Sequence, residues 1–244
     1  MERWRWMSED YGSKFIAVNI ARYELFHIKN RRLLDRIKVV VGLPYHKTPV
    51  FSDKIKYLEF NPYWNVPYSI ATKEMLPKLQ KKSGALASSF EVLKGDKIVN
   101  PAEIDWSQYS SRNFPFRIRQ KPGPKNALGR VKFMFPNRFN VYLHDTPARS
   151  KFDKTKRAFS HGCVRVNRPI DLAEQLLHDV PAWGRKKIDA VLASGKRTIV
   201  NLAKPMKIHI IYSTAWSEGQ DTIYFGPDIY GRDKKLSQIL FGKS

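Results

Sequence analysis

The chain has 244 residues, enough for one large β-rich domain or two small ones. A hydrophobic content of 42% excludes a disordered polymer, and a single cysteine excludes both an internal disulfide framework and a Cys-rich zinc site. The 44 Lys and Arg against 22 Asp and Glu give a net charge of +22, which favours an anionic partner: nucleic acid, an acidic membrane surface or polyanionic wall material.

No apolar stretch approaches the roughly 18 residues needed to span a bilayer. The opening "MERWRWMSEDYGSK" has no apolar core of the kind a signal peptide requires. A cytosolic protein or a fragment of a longer exported one would both fit; the abrupt, aromatic start favours the fragment.

Short strands fill the first quarter of the chain. "KFIAVNIA" (14–21), "YELFHI" (23–28), "DRIKVVVG" (35–42) and "IKYLEFNP" (55–62) are β-branched and aromatic and are separated by polar or basic breaks. Their spacing predicts an antiparallel meander in a sandwich or barrel. "NVPYSIATKEMLPKLQKKSG" (65–84) has helical periodicity, with Ser69 or Thr72 as caps, Gly84 as a stop, and Pro77 as a kink or a second start. Residues 85–130 alternate short strand-like pieces with loop chemistry, and 73–118 read as an inserted lid or subdomain. Strands return with "GRVKFMF" (129–135) and "FNVYLH" (139–144). Alternation in the latter puts Val141 and Leu143 on one face, and Asn140, Tyr142 and His144 on the other. Two helices follow, "PIDLAEQLL" (169–177), opened by Pro169, and "WGRKKIDAVLASG" (183–195), stopped by Gly195. "RTIVNL" and "KIHIIYSTAWS" are two further strands. The lysine runs at 78–82 and 234–235 read as solvated faces, and the aromatic group Phe60, Tyr63, Trp64 and Tyr68 reads as packing or as a substrate-contacting wall.

The one cysteine stands in "FSHGCVRV" (159–166). Three roles fit Cys163: a small buried residue, a metal ligand or a nucleophile. A metal would need partners at ligand spacing, and only His161 is close. A nucleophilic thiol needs a base to take its proton and backbone N–H groups near the attacked carbonyl. Gly162 allows backbone dihedrals closed to other residues. His144 ends one candidate strand and Cys163 precedes another, so the two side chains meet if those strands are neighbours.

These residues resemble the catalytic signature of the L,D-transpeptidases of YkuD-like fold. That signature is a histidine, about fifteen residues, then Ser/Thr-His-Gly-Cys, an apolar residue and Asn or Arg. Here it is filled by His144, fifteen residues, Ser160, His161, Gly162, Cys163, Val164 and Arg165. "MERWRW", "PYWNVPYSIATKEMLPKLQ", "QKPGPKNALGRVKFMFPN" and "VYLHDTP" further resemble the large periplasmic members that carry a capping insertion before the motif.

The resemblance implies a mainly β (α+β) domain over 1–244, a YkuD-like mixed β-sandwich with peripheral helices and an inserted capping subdomain at 73–118. It implies a cell-envelope or periplasmic enzyme that acts on peptidoglycan stem peptides, without a metal or other cofactor. Cys163 would be the nucleophile and His144 the general base, oriented by a backbone carbonyl rather than by the Asp145 side chain. Tyr142 would line the donor site or offer its hydroxyl to the oxyanion. Gly162 would belong to the same oxyanion and substrate region. Arg165 would bind a substrate carboxylate or buttress the loop. Ser160 and His161 would shape the loop by side-chain-to-backbone hydrogen bonds. The alternatives are a basic nucleic-acid-binding module, for which no zinc knuckle, RRM signature or helix-turn-helix pattern is present, and a non-catalytic wall-binding domain.

Overall fold

In the computed structural model, residues 2, 5, 11–86, 88–218 and 222–242 are described. In chain order come β1 (Lys14–Asn19), β2 (Glu24–Lys29), β3 (Arg32–Gly42), β4 (Phe51–Phe60) and β5 (Trp64–Asn65). Then follow α1 (Tyr68–Ile70), a π-helical turn (Ala71–Met75), α2 (Leu76–Lys81), β6 (Phe90–Lys94), β7 (Lys97–Val99) and β8 (Phe116–Gln120). β9 (Val131–Met134), β10 (Leu143–His144), β11 (Ala158–Ser160) and β12 (Val164–Val166) precede α3 (Pro169–Leu177) and α4 (Arg185–Ala193). The chain continues with β13 (Thr198–Ile211), β14 (Ala215–Ser217), β15 (Ile223–Phe225) and α5 (Arg232–Phe241). The fold is mostly β, as expected.

One mixed sheet dominates, in the order β11-β3-β12-β10-β9-β4-β13-β1-β2, and β2 pairs again with β3. The long strand β3 makes this closure. Its residues 32–38 pair with β2, and Val39 and Val40 pair with β12. The sheet therefore curls over its own core instead of stacking as two separate sheets. Ile16, Leu25, Val39, Leu58, Phe133 and Leu143 fill the interior without solvent exposure. Helix α3 begins at Pro169, whose missing N–H costs nothing in a first turn. It lays Leu172, Ala173, Leu176 and Leu177 on this core.

Three elements depart from the expectations. β4 does not extend the β1–β3 meander; it lies between β9 and β13. "RTIVNL" and "KIHII" form one strand, β13, whose register with β4 shifts between Asn201 and Met206. Pro205 lies in that gap and has no N–H for the ladder. In "FNVYLH" only Leu143 and His144 are strand; Asn137 holds the preceding loop, its amide donating to the carbonyls of Phe135 (2.6 Å) and Val141 (2.7 Å).

A second, smaller unit is inserted between β4 and β9. The Asn61 N–H donates to the Arg130 carbonyl at 2.8 Å, so the chain leaves and re-enters the main sheet at one point. Within the insert, β5, β8, β6 and β7 form a sheet under α1 and α2, around Leu79, Val92, Trp106, Phe116 and Ile118. This sheet starts at Trp64 and runs to Gln120, wider than 73–118. Neither Ser69 nor Thr72 caps the helix; Pro67 precedes it, and the Thr72 hydroxyl donates to the Tyr68 carbonyl (2.9 Å). Pro77 cannot donate to the carbonyl four residues earlier, and the π-helical turn accommodates that missing bond.

Asn61 anchors this neck. It adopts a left-handed backbone (φ 48°), and its amide donates to the carbonyls of Val191 (2.8 Å), Leu192 (3.4 Å) and Lys196 (3.2 Å) at the end of α4. Asn61→Ala should destabilise the domain by roughly 2–4 kcal/mol, through lost hydrogen bonds and a strained backbone. Asn61→Gly relieves only the backbone part and should fall between Ala and the native residue in a urea melt. Equal midpoints for Ala and Gly would show that the dihedral contributes nothing.

Candidate active site

Three short strands bring the predicted residues together. β10 runs parallel to β12, pairing Leu143 with Val164 and His144 with Arg165, and the Val164 N–H donates to the Tyr142 carbonyl (3.1 Å). Tyr142 and His144 thus share a face with Cys163 and Arg165. All four line a cleft of about 670 Å³ whose other wall is the insert, through Trp64, Pro67, Tyr68 and Glu74.

The loop before β12 is shaped by Ser160. Its Oγ donates to the Cys163 carbonyl (2.5 Å) and accepts from the Gly162 N–H (3.1 Å). The bond from Gly162 occupies that amide. Gly162 itself has φ 114°, a conformation that side-chain-bearing residues rarely adopt. A second brace is non-local. Thr48 Oγ1 donates to the Gly162 carbonyl (2.8 Å) and accepts from the Gly42 N–H (2.9 Å), while the Tyr230 hydroxyl donates to the Gly42 carbonyl (2.7 Å). A Cβ on Gly42 would lie 2.0 Å from the His46 carbonyl oxygen, so only glycine permits this approach.

His161 departs from its expected role. It does not bond its own loop; its Nε2 lies 3.0 Å from Glu74 Oε1 on the insert, and its ring packs on His46 at 4.7 Å. The insert folds over the loop and supplies a partner that local reasoning had no means to see.

His144 is buried, and its Nδ1–H donates to the Asp145 carbonyl at 2.5 Å. The Asp145 carboxylate is held elsewhere. It accepts from the Arg130 N–H (2.9 Å) and from Arg149 Nη1 (3.2 Å). These contacts fix residue 145, and so the carbonyl that orients the ring. Burial first, then the charge of Arg165 and that of Lys132, hold the His144 imidazole down to about 3, against the Asp145 and Leu128 carbonyls that favour its protonated form.

The Cys163 thiol donates to the Asn140 carbonyl at 3.8 Å. The residue keeps intermediate exposure, so solvent in the cleft reaches it. Protein atoms nevertheless crowd the sulfur enough for burial to push the thiol up. Hydrogen bonds from Tyr142 and the charges of Lys132 and Arg165 only partly offset this. Burial thus favours the neutral form of both the sulfur and the imidazole. Tyr142 is likewise pushed up, chiefly by burial, and stays a phenol that can donate.

Lys132, which the sequence does not single out, is the antiparallel partner of His144. Its ammonium stands 4.2 Å from the centre of the Tyr142 ring and faces the same cleft. Among the described residues no three His, Cys, Asp or Glu side chains gather as a metal site.

A sequence profile of the YkuD family, described as the L,D-transpeptidase catalytic domain, matches residues 13–201. The chain belongs to this L,D-transpeptidase family. A Haemophilus influenzae protein provisionally named an L,D-transpeptidase is 35% identical over 224 residues, which cover 91% of this chain and 45% of the relative. The chain thus spans under half of that relative's length. Among solved structures, an L,D-transpeptidase from Mycobacterium smegmatis aligns with TM-score 0.35 and 10% identity, covering 82% of this chain and 58% of its own. L,D-transpeptidase 3 from Mycobacterium tuberculosis aligns with TM-score 0.36 and 10% identity, covering 82% and 61%. Family members are cell-envelope enzymes, and no helix among the described residues is long and apolar enough to cross a membrane.

Because the thiolate is the reactive form and the thiol lies above its ordinary 9.0, alkylation of Cys163 by iodoacetamide should be slow at pH 7. It should rise about tenfold per pH unit through pH 9. A plateau reached by pH 8 would mean a thiol that ionises below its ordinary range.

Proposed function

We propose that the domain is a peptidoglycan L,D-transpeptidase that works through a thioester on Cys163. The observation that carries this reading is the pairing of β10 with β12, which turns Tyr142, His144, Cys163 and Arg165 toward one cleft. His144 takes the thiol proton as the sulfur attacks the carbonyl between the third-position diamino acid and the terminal D-alanine of a tetrapeptide stem. A C–S bond forms and the carbonyl oxygen becomes an oxyanion, to which the Tyr142 phenol, bonded to the sulfur before attack, turns its proton. The C–N bond then breaks, and the imidazolium gives its proton to the departing amine of D-alanine.

An acceptor amine attacks the thioester in the second half of the reaction. His144 removes a proton from that amine and returns it to the sulfur, regenerating the thiol. With the side-chain amine of another stem as acceptor the product is a 3→3 cross-link. With water it is a tripeptide, the L,D-carboxypeptidase outcome.

The insert would serve as a lid that keeps water from the thioester. Its support is the wall it lends to the cleft and the contact of Glu74 with His161.

Incubation with a defined tetrapeptide, followed by intact-mass spectrometry, should show a tripeptidyl adduct on the native protein and none on Cys163→Ala. D-Alanine release from pure Cys163→Ala would defeat the mechanism. His144→Ala should slow acylation by ~10²–10⁴-fold while the fold persists by circular dichroism. Glu74→Ala should raise the share of hydrolysed tripeptide over cross-linked dimer; an unchanged ratio would remove that contact from the lid.

A further inference from the structure

Cross-strand partners present their side chains on one face, with Cβ atoms about 4.5–5.5 Å apart. Across β12, β10, β9 and β4 the partners run Arg165, His144, Lys132, Glu59. Glu59 is the one carboxylate of this row, and Arg197 already binds it at 2.5 Å. Among the described residues neither Lys132 nor Arg165 forms an ion pair, and Arg165 Nε is buried with no hydrogen-bond partner. Both side chains line the cleft. The single acidic residue on its wall, Glu74, is bonded to His161. Glu59 acts on Lys132 across the strands but is shared with Arg197, so these cations, drawn away from water, lack a full counter-charge, which costs stability unless an anion arrives to pair with them.

We propose that Lys132 and Arg165 form a carboxylate subsite that holds the free C-terminal carboxylate of the acyl donor. This rests on the transpeptidase reading above. The carboxylate concerned follows from the chemistry of the donor. The C-terminal carboxylate is one Cα from the scissile nitrogen, so it stays within about 5 Å of the attacked carbonyl. Every other carboxylate of a stem peptide lies at least a side chain or a residue further away. The two cations flank His144, one strand to either side, which is where a group so tethered must fall. Lys132 is then a specificity residue: it selects donors that end in a free acid.

Two donors test this, tetrapeptides ending in D-alanine and in D-alaninamide, with acylation followed by intact mass. Binding of both to Cys163→Ala, which holds a donor without consuming it, is measured by calorimetry. The native protein should favour the free acid by roughly tenfold to a hundredfold in acylation rate, and Cys163→Ala should show the same preference in affinity. Lys132→Met should close most of that gap by weakening the free-acid donor, and Lys132→Arg should keep it open. Equal acylation of the native protein by the two donors would overturn the subsite and leave the transpeptidase reading standing. An equal loss of both donors in Lys132→Met, with slower iodoacetamide alkylation, would assign the lysine to the thiolate and also overturn the subsite. No acylation by either donor would defeat the transpeptidase reading itself, and the subsite with it.

Discussion

Two parallel pairings, Leu143 with Val164 and His144 with Arg165, are the constraint on which the site depends. Parallel neighbours cannot be joined by a tight turn; the chain must cross from the end of one strand to the start of the other. Residues 145–163 make that crossing and gain a function on the way. Asp145 is clamped by Arg130 and Arg149, and β11 adds to the edge of β3. Ser160 and Gly162 then turn the chain back into β12. A slip of one residue between β10 and β12 would move Tyr142 and His144 to the core face together. Leu143, Val164 and Val166, all fully buried, resist that slip because each would have to enter the cleft.

Charge is laid out along the same row. Imidazole and thiol are each held in the uncharged form by burial, and the cations on either side press the imidazole further the same way. An anion settling between Lys132 and Arg165 would weaken that pressure on the ring. The imidazole would become more basic as that anion arrives.

Much of this was legible in the sequence because it is local. The β-branched runs of β1, β2 and β3 declare strands, Pro169 and the spacing of Leu172, Leu176 and Leu177 declare α3, and His144 to Cys163 keeps its signature spacing. What was misread depends on distant partners. The alternation in "FNVYLH" looks the same in a strand and in a loop held by Asn137. Closure of the sheet through β3 joins residues far apart in sequence. Lys132 is one more polar residue in a strand until pairing sets it beside His144. The backbone carbonyl expected to orient His144 is that of the next residue, Asp145.

The raised thiol has a consequence for the endurance of the protein. Peroxides and mixed disulfides react with a thiolate far faster than with a thiol, and the step from sulfenic to sulfinic acid is not reversed for most proteins. Family members work in the cell envelope, where no cytosolic pool keeps sulfur reduced. With a single cysteine, this chain has no internal resolving partner to rescue a sulfenic acid. Burial that keeps Cys163 protonated makes its sulfur less reactive, and by the same physics lets it outlast oxidants that would consume a thiolate.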